Sequence, residues 1–194
     1  MQIEYEATFL DINREEMRKK LKTAGAVLVR PEFLQKRLTL SLPAGHEITG
    51  GWLRVRDEGD KIMMTLKVVD GTQIHNQKEI NLQVDDLGMA VKLLETMGCK
   101  KKSYQETKRE LWTLDGVEIT IDEWPFLEPF VEVEGQSEEM VKNVSEKIGF
   151  DYGQALFCCV STLYCMKYGV AEEVINNQTP EITFGGKNPF EKNI

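Results

Sequence analysis

Through most of its length the chain alternates residue by residue, and the polar half of the alternation is charged. Leu53 and Val55 interleave with Arg54 and Arg56, Leu66 and Val68 with Thr65 and Lys67, and Ile80 and Leu82 with Glu79 and Asn81. Ile119 and Ile121 interleave with Glu118, Thr120 and Asp122, and Val131 and Val133 with Glu132 and Glu134. The first segment has the same form, with Gln2, Glu4, Glu6 and Thr8 on one side and Ile3, Tyr5, Ala7 and Phe9 on the other. Successive strand side chains point to opposite faces, so each segment reads as a strand with one apolar and one polar face. For any one strand a solvated outer face accounts for the charge. Five or six such strands, rich in fixed charge of both signs, suggest that their polar faces meet.

An antiparallel sheet of about eight strands tends to close into a barrel, because closure removes its edges. The apolar faces then need cover from outside, which leaves the charged faces in the bore. Four helices are available as cover. Asp11 and Asn13 offer N-caps for a helix from Arg14 to Thr23, stopped by Gly25. A second follows Asp85 or Asp86 and ends at Gly98, with Leu87, Ala90, Val91, Leu94 and Met97 at helical spacing. A third fits Ser137 to Ile148, and a fourth Tyr152 to Tyr168. Val27 to Val29 and Leu34 to Leu42 read as two strands, and Tyr104 to Leu114 as another. The expected fold is therefore α+β: an eight-stranded antiparallel β-barrel, or tunnel, with helices packed outside. It spans residues 1–170, and 171–194 form an irregular C-terminal tail that orders only where it finds a surface.

The 194 residues suffice for one domain with a sizeable core. A net charge of −8 argues against a protein that coats nucleic acid, although it leaves room for a local anion site. The longest apolar stretch, Ala155 to Met166, is shorter than the roughly 20 residues a membrane helix needs. No leader-like segment opens the chain, and Cys99, Cys158, Cys159 and Cys165 lack disulfide or zinc spacing, with His46 and His75 remote. The expectation is a cytoplasmic protein with reduced thiols and neither membrane nor nucleic-acid partner. Oligomeric state has no signature here, and a homodimer is compatible with the sequence.

Clustered Arg and Lys match phosphate oxygens, and clustered carboxylates match a hard cation such as Mg²⁺ or Mn²⁺. A metal–polyphosphate needs both at once. A buried network of internal ion pairs would leave the same trace in sequence.

Seven short segments then resemble one family in order and spacing. Glu4-Tyr5-Glu6-Ala7-Thr8 is similar to the E-x-E-x-K signature of the CYTH, or triphosphate tunnel metalloenzyme, superfamily, and Trp52-Leu53-Arg54-Val55-Arg56 to its L-R-x-R strand. Thr65-Leu66-Lys67, Lys78-Glu79-Ile80, Lys108-Arg109 and Ile121-Asp122 continue the resemblance, and Phe130 to Gly135 matches F-x-E-x-E-G. Class IV adenylyl cyclases, thiamine triphosphatases and inorganic tripolyphosphatases belong to this superfamily.

The resemblance implies that Glu4, Glu6, Glu132 and Glu134 form a site for Mg²⁺ or Mn²⁺, with Asp122 as a further metal or water ligand. Glu4, Glu6 and Asp122 would carry the chemistry. Arg54, Arg56, Lys67 and Arg109 would clamp a triphosphate, and Glu79 would be a tunnel carboxylate. Two departures stand out. Thr8 replaces the family lysine, which is associated in hydrolytic relatives with positioning water. Gln35-Lys36-Arg37 occupies a strand that is usually acidic. Arg37 joins the expected clamp, although parity alone leaves open whether it or Lys36 faces the bore. The implied function is a metal-dependent phosphohydrolase acting on ATP, tripolyphosphate or thiamine triphosphate. The alternatives are a class IV-type adenylyl cyclase, making cyclic AMP and pyrophosphate from ATP, and a non-catalytic nucleotide- or polyphosphate-binding protein.

Overall fold

The computed structural model describes residues 1–191. Its strands are β1 (Gln2–Ile3), β2 (Tyr5–Phe9), β3 (Val27–Ser41), β4 (Gly51–Asp57), β5 (Ile62–Val69), β6 (Gln77–Val84), β7 (Lys100–Leu114), β8 (Val117–Glu123), β9 (Phe130–Gly135) and β10 (Glu181–Ile182). The helices are α1 (Arg14–Ala24), α2 (Leu87–Thr96), α3 (Glu138–Lys147), α4 (Val160–Tyr168) and α5 (Glu172–Asn177).

All neighbours along the path β1-β6-β5-β4-β3-β7-β8-β9-β2 that form the wall are antiparallel. The two ends of this path are one stretch of chain. Gln2 and Ile3 pair with Glu79 and Lys78 on β6, while Tyr5 to Phe9 pair with Gly135 to Val131 on β9. Glu4 lies at the changeover and donates its backbone N–H to Gln77 O at 2.9 Å. The N-terminal segment is therefore a single stave that joins both edges of the sheet. Ten strands thus stand where eight were expected. The two extra are this split stave and β10, and the antiparallel barrel has eight staves.

Strand β3 is continuous, where the sequence suggested two strands. It pairs along its length with β7, and register shifts between Leu28 and Arg30 and between Arg30 and Phe33 absorb the irregularity. Pro31, which cannot donate to a ladder, falls inside that bulged stretch. The helices begin as their caps dictate: Asn13, Asp86 and Ser137 accept from Glu16 N, Met89 N and Met140 N. Gly25 closes α1 at φ 86°, a left-handed conformation that glycine adopts without a Cβ clash. Met17 and Leu21 of α1 and Val141 and Val144 of α3 pack with Ala7, Ile119, Ile121, Val131 and Val133 from the outer barrel wall. Ala90, Val91 and Leu94 of α2 cover Leu40 and Val55. With apolar side chains spent on these outside layers, the opposite strand faces are left to line the bore.

The fourth helix is shorter than expected. Tyr152–Gln154 is a 3-10 turn, and α4 starts only at Val160. Between them Leu156 exchanges both backbone hydrogen bonds with Thr8, at 2.9 and 3.0 Å, which draws the chain out like a strand. Residues after Ala171 carry more regular structure than their composition indicated. Besides α5, β10 runs parallel to β7 with Ile182 opposite Gln105. Ile182 and Phe190 are wholly buried in a cluster with Trp124, Tyr164 and Tyr168. No helix among the described residues is long and apolar enough to cross a membrane.

Candidate functional site

The inward faces of the staves enclose a cavity of about 240 Å³. Nine of the ten expected site residues line it: Glu4, Glu6, Arg37, Arg54, Arg56, Lys67, Arg109, Glu132 and Glu134. Strand pairing explains how they meet. Arg56 on β4 lies opposite Arg37 on β3, Lys67 on β5 opposite Glu79 on β6, and Glu6 on β2 opposite Glu134 on β9. The bore thus has a basic wall on β3 and β4 and an acidic wall on β2 and β9. Lys67 bridges from the basic side, with its Nζ 2.8 Å from Glu4 Oε2.

The acidic wall holds a compact group. Carboxylate oxygens of Glu4, Glu6 and Glu134 all lie within 4.8 Å of one another. Burial pushes Glu6 up to about 8, and the charges of Glu4 and Glu134 add to that against the pull of Lys67. Glu134 rises to about 7, again through burial first and then the charge of Glu4. Burial acts on Glu4 in the same sense, but Lys67, Arg54 and Arg56 outweigh it and hold Glu4 below the ordinary carboxylate value. Such a trio is electrostatically costly when fully ionised. Hard divalent cations prefer carboxylate oxygens and would relieve that repulsion, so the three residues fit Mg²⁺ or Mn²⁺.

Glu132 and Asp122 are engaged elsewhere. Arg109 Nε donates to Asp122 Oδ1 at 2.7 Å, and its Nη2 donates to Asp122 Oδ2 at 2.6 Å and to Glu132 Oε2 at 2.5 Å. Thr120 Oγ1 donates to Asp122 Oδ2 at 2.9 Å. Asp122 is fully buried behind Arg109 and does not line the cavity. Despite that burial, Arg109 and its hydrogen bonds keep the Asp122 carboxyl below its usual value. Glu132 is driven well above its own, by burial and by the charges of Glu6 and Asp122.

On the basic wall, Arg56 lies 2.5 Å from Glu58 Oε1, with Lys61 Nζ 3.5 Å from the other oxygen of Glu58. Burial and the neighbouring Arg54 and Arg109 push Arg56 down to about 10. Arg37 donates to Gln35 Oε1 and Thr107 Oγ1, and its guanidinium lies 4.5 Å from the centre of the Trp124 ring. Lys36 is exposed, so the structure settles the parity question in favour of Arg37. Neither Arg37 nor Arg54 forms an ion pair among the described residues, although they are only 5% and 9% exposed. Their Nε atoms are buried without a hydrogen-bond partner.

Thr8 is 2% exposed and lies between Glu132 on β9 and Leu156, where it adds no charge. Glu58, Gln105, Cys158 and Cys159 also line the bore and were not singled out from the sequence. Glu58 reads as a turn residue before Gly59, and nothing in its local pattern distinguishes it.

The family model of the CYTH domain matches residues 2–156. The chain belongs to the CYTH family. Solved structures agree with this CYTH barrel. A candidate adenylate cyclase from Vibrio parahaemolyticus superposes with a TM-score of 0.72 at 13% identity, covering 84% of this chain and 98% of the other. A Pyrococcus horikoshii protein gives 0.68 at 20% identity, covering 84% and 99%. A candidate adenylyl cyclase from Hippeastrum, described as having a dominant triphosphatase activity, gives 0.59 at 15% identity, covering 88% and 97%. At these identities the likeness establishes the CYTH fold alone. No curated protein matches the sequence significantly.

Proposed function

We propose that this CYTH protein is a metal-dependent phosphohydrolase that takes a triphosphate into its bore. The observation that carries this reading is the pair Arg37 and Arg54, buried and without carboxylate partners, in the same cavity as the Glu4, Glu6 and Glu134 cluster. Buried charge is costly unless it is paired. In a finished ion-pair network these groups would neutralise one another. Here excess positive charge stands on one wall and excess negative charge on the other, which suits an anion that arrives with a cation.

In this reading Arg37, Arg54, Arg56 and Lys67 bind the phosphate oxygens, the guanidiniums through paired contacts. Arg109 offers one more donor at a fixed angle, because Asp122 grips it from behind. Asp122 is then a positioning residue, and Glu132 holds the other side of Arg109. Glu4, Glu6 and Glu134 would hold Mg²⁺ or Mn²⁺, which when bound supplies charge neutralisation at the phosphates. Phosphoryl transfer asks mainly for positioning and electrostatic stabilisation, and the enclosed bore supports both by limiting water. Residues 1–170 carry this chemistry, with Ile175, Ile182 and Phe190 of the following segment packed against them. The free cysteines fit a cytoplasmic setting.

Product analysis tests the proposal. ATP and tripolyphosphate are each incubated with the protein, with and without Mg²⁺ or Mn²⁺. Metal-dependent release of orthophosphate is expected. Cyclic AMP with pyrophosphate would instead make the protein a cyclase. Binding without turnover would make it a carrier or sensor, with Thr8 in place of the family lysine as the natural cause.

A further inference from the structure

The stave that closes the barrel covers little of β6. Of the eight residues in β6, Lys78 and Glu79 pair with β1, and Glu4 N–H reaches Gln77 O at 2.9 Å. On its other side β6 pairs with β5 along its whole length, from Gln77 to Val84. Backbone groups of an antiparallel strand face its two neighbours alternately, residue by residue. Because Gln77 faces the N-terminal stave, so do Asn81 and Gln83, which lie beyond the end of β1 at Gln2. Their N–H and C=O groups have no backbone partner among the described residues.

The outer surface beside this edge is apolar. Glu79 and Asn81 line the bore, so Ile80 and Leu82 point outward, 45% and 53% exposed. They stand opposite Leu66 and Met64 of β5, and the exposed Ile3 of β1 continues the patch. Elsewhere on the wall such side chains are roofed, by α2 over β4 and by α3 over β2 and β9. Open edges are ordinarily blunted by lysine, proline or a bulge. Residues 80–84 read Ile-Asn-Leu-Gln-Val, without charge or proline and in unbroken register with β5, in a chain of which 29% is charged.

We propose that residues 80–84 form the interface with a second copy of this chain, by antiparallel addition of β6 to β6 about a two-fold axis at Leu82. The unpaired backbone groups call for an extended segment, and the bare apolar side chains call for one that carries its own on the same face. The same five residues of another copy meet both needs. With Leu82 beside its own counterpart, Asn81 faces Gln83 of the other copy, and each such pair exchanges two backbone hydrogen bonds. Those are the residues whose groups stand free. Ile80 then sits beside Val84 of the other copy, and the apolar patches of the two barrels merge. The contact is isologous and closes at two, which stops the open edge from recruiting further strands. Five residues a side make a small interface, so the dimer is a reversible one.

Sedimentation of the full chain over a roughly hundredfold range of concentration tests this. Wild type is expected to pass from monomer to dimer, with a dissociation constant on the order of 10 μM. Leu82→Lys sets two lysines side by side on the axis and should weaken the dimer at least about tenfold. Gln83→Pro removes an outward N–H that has no partner within the chain, and should weaken the dimer as much while leaving the apolar patch whole. A lysine on bare outer surface and a proline at an open edge should each shift the melting temperature of the dilute protein by no more than about 2 °C. That separates loss of pairing from loss of the fold. A wild type that stays monomeric at the highest concentration, or that grows past the dimer, overturns the proposal. So does retention of the dimer by either variant, since Gln83→Pro would then show that apolar contact alone holds the copies together.

Discussion

Arg109 and Asp122 form a two-pronged ion pair at 2.7 and 2.6 Å, with the aspartate wholly hidden and the arginine reaching past it into the bore. The aspartate fixes the direction of a cation that the substrate meets. Breaking a buried pair from one side leaves an uncompensated charge and costs about 3–5 kcal/mol.

Asp122→Asn should therefore lower stability by roughly that amount while leaving the barrel intact. It should also lower kcat/KM for the triphosphate by about 10–100-fold, because Arg109 loses its fixed angle. Denaturant melts and steady-state kinetics check the two effects separately. A stability loss with kcat/KM unchanged would show that the pair is scaffolding only.

Arg54 predicts the opposite balance. It makes no ion pair among the described residues, so its truncation relieves crowding among like charges at the loss only of its longer-range pull on Glu4, which Lys67 and Arg56 still supply. Arg54→Ala should leave the melting temperature of the ligand-free protein unchanged or raised. Affinity for a triphosphate should fall by about 1.5–3 kcal/mol, the scale of a charged hydrogen bond. Calorimetry showing unaltered affinity would remove Arg54 from the clamp.

Glu6 and Glu134 predict how stability follows pH when divalent cations are chelated. Their folded-state values, about 8 and about 7, lie above the 4.5 of an unperturbed glutamate. The native state thus holds protons that the unfolded chain has given up, and stability falls as pH rises between 4.5 and 8. Melting temperature in chelator should decline across that window, and Glu6→Gln with Glu134→Gln should flatten the decline. Added Mg²⁺ should restore more stability at pH 8.5 than at pH 6. A pH-independent melting temperature would show that the cluster is better solvated than its burial indicates.

Period-two alternation was enough to group Glu4, Glu6, Arg54, Arg56, Lys67, Glu132 and Glu134 on polar strand faces and to foresee a closed sheet, because parity is a local property of strands. Arg109 entered only through the family resemblance, and Arg37 was left open by parity. Depth is not local. Asp122 has the parity of a bore residue yet lies beneath Arg109, and only the side chain across the β7–β8 pair decides that. Glu58 enters the bore from a turn, where parity has no meaning. The interruption of the fourth helix at Leu156 depends on Thr8, at the far end of the sequence. The burial of Ile182 and Phe190 depends likewise on aromatic partners distant in the chain. The continuity of β3 through Pro31, where two strands were expected, is set by the long pairing with β7.

The stave that closes the barrel also carries Glu4 and Glu6, and its partners on β9 lie more than a hundred residues away in the chain. Contacts this distant in sequence are slow to form, because a long loop must be organised before they are rewarded. Until the first stave seats, its two glutamates stand in water at ordinary carboxylate energies. Seating moves them into the company of Glu134 and Lys67 in one motion. The electrostatic tension of the site is therefore incurred when this stave seats against β9. The last gap in the barrel and the acidic trio are the same event, so whatever neutralises the trio also latches the seam.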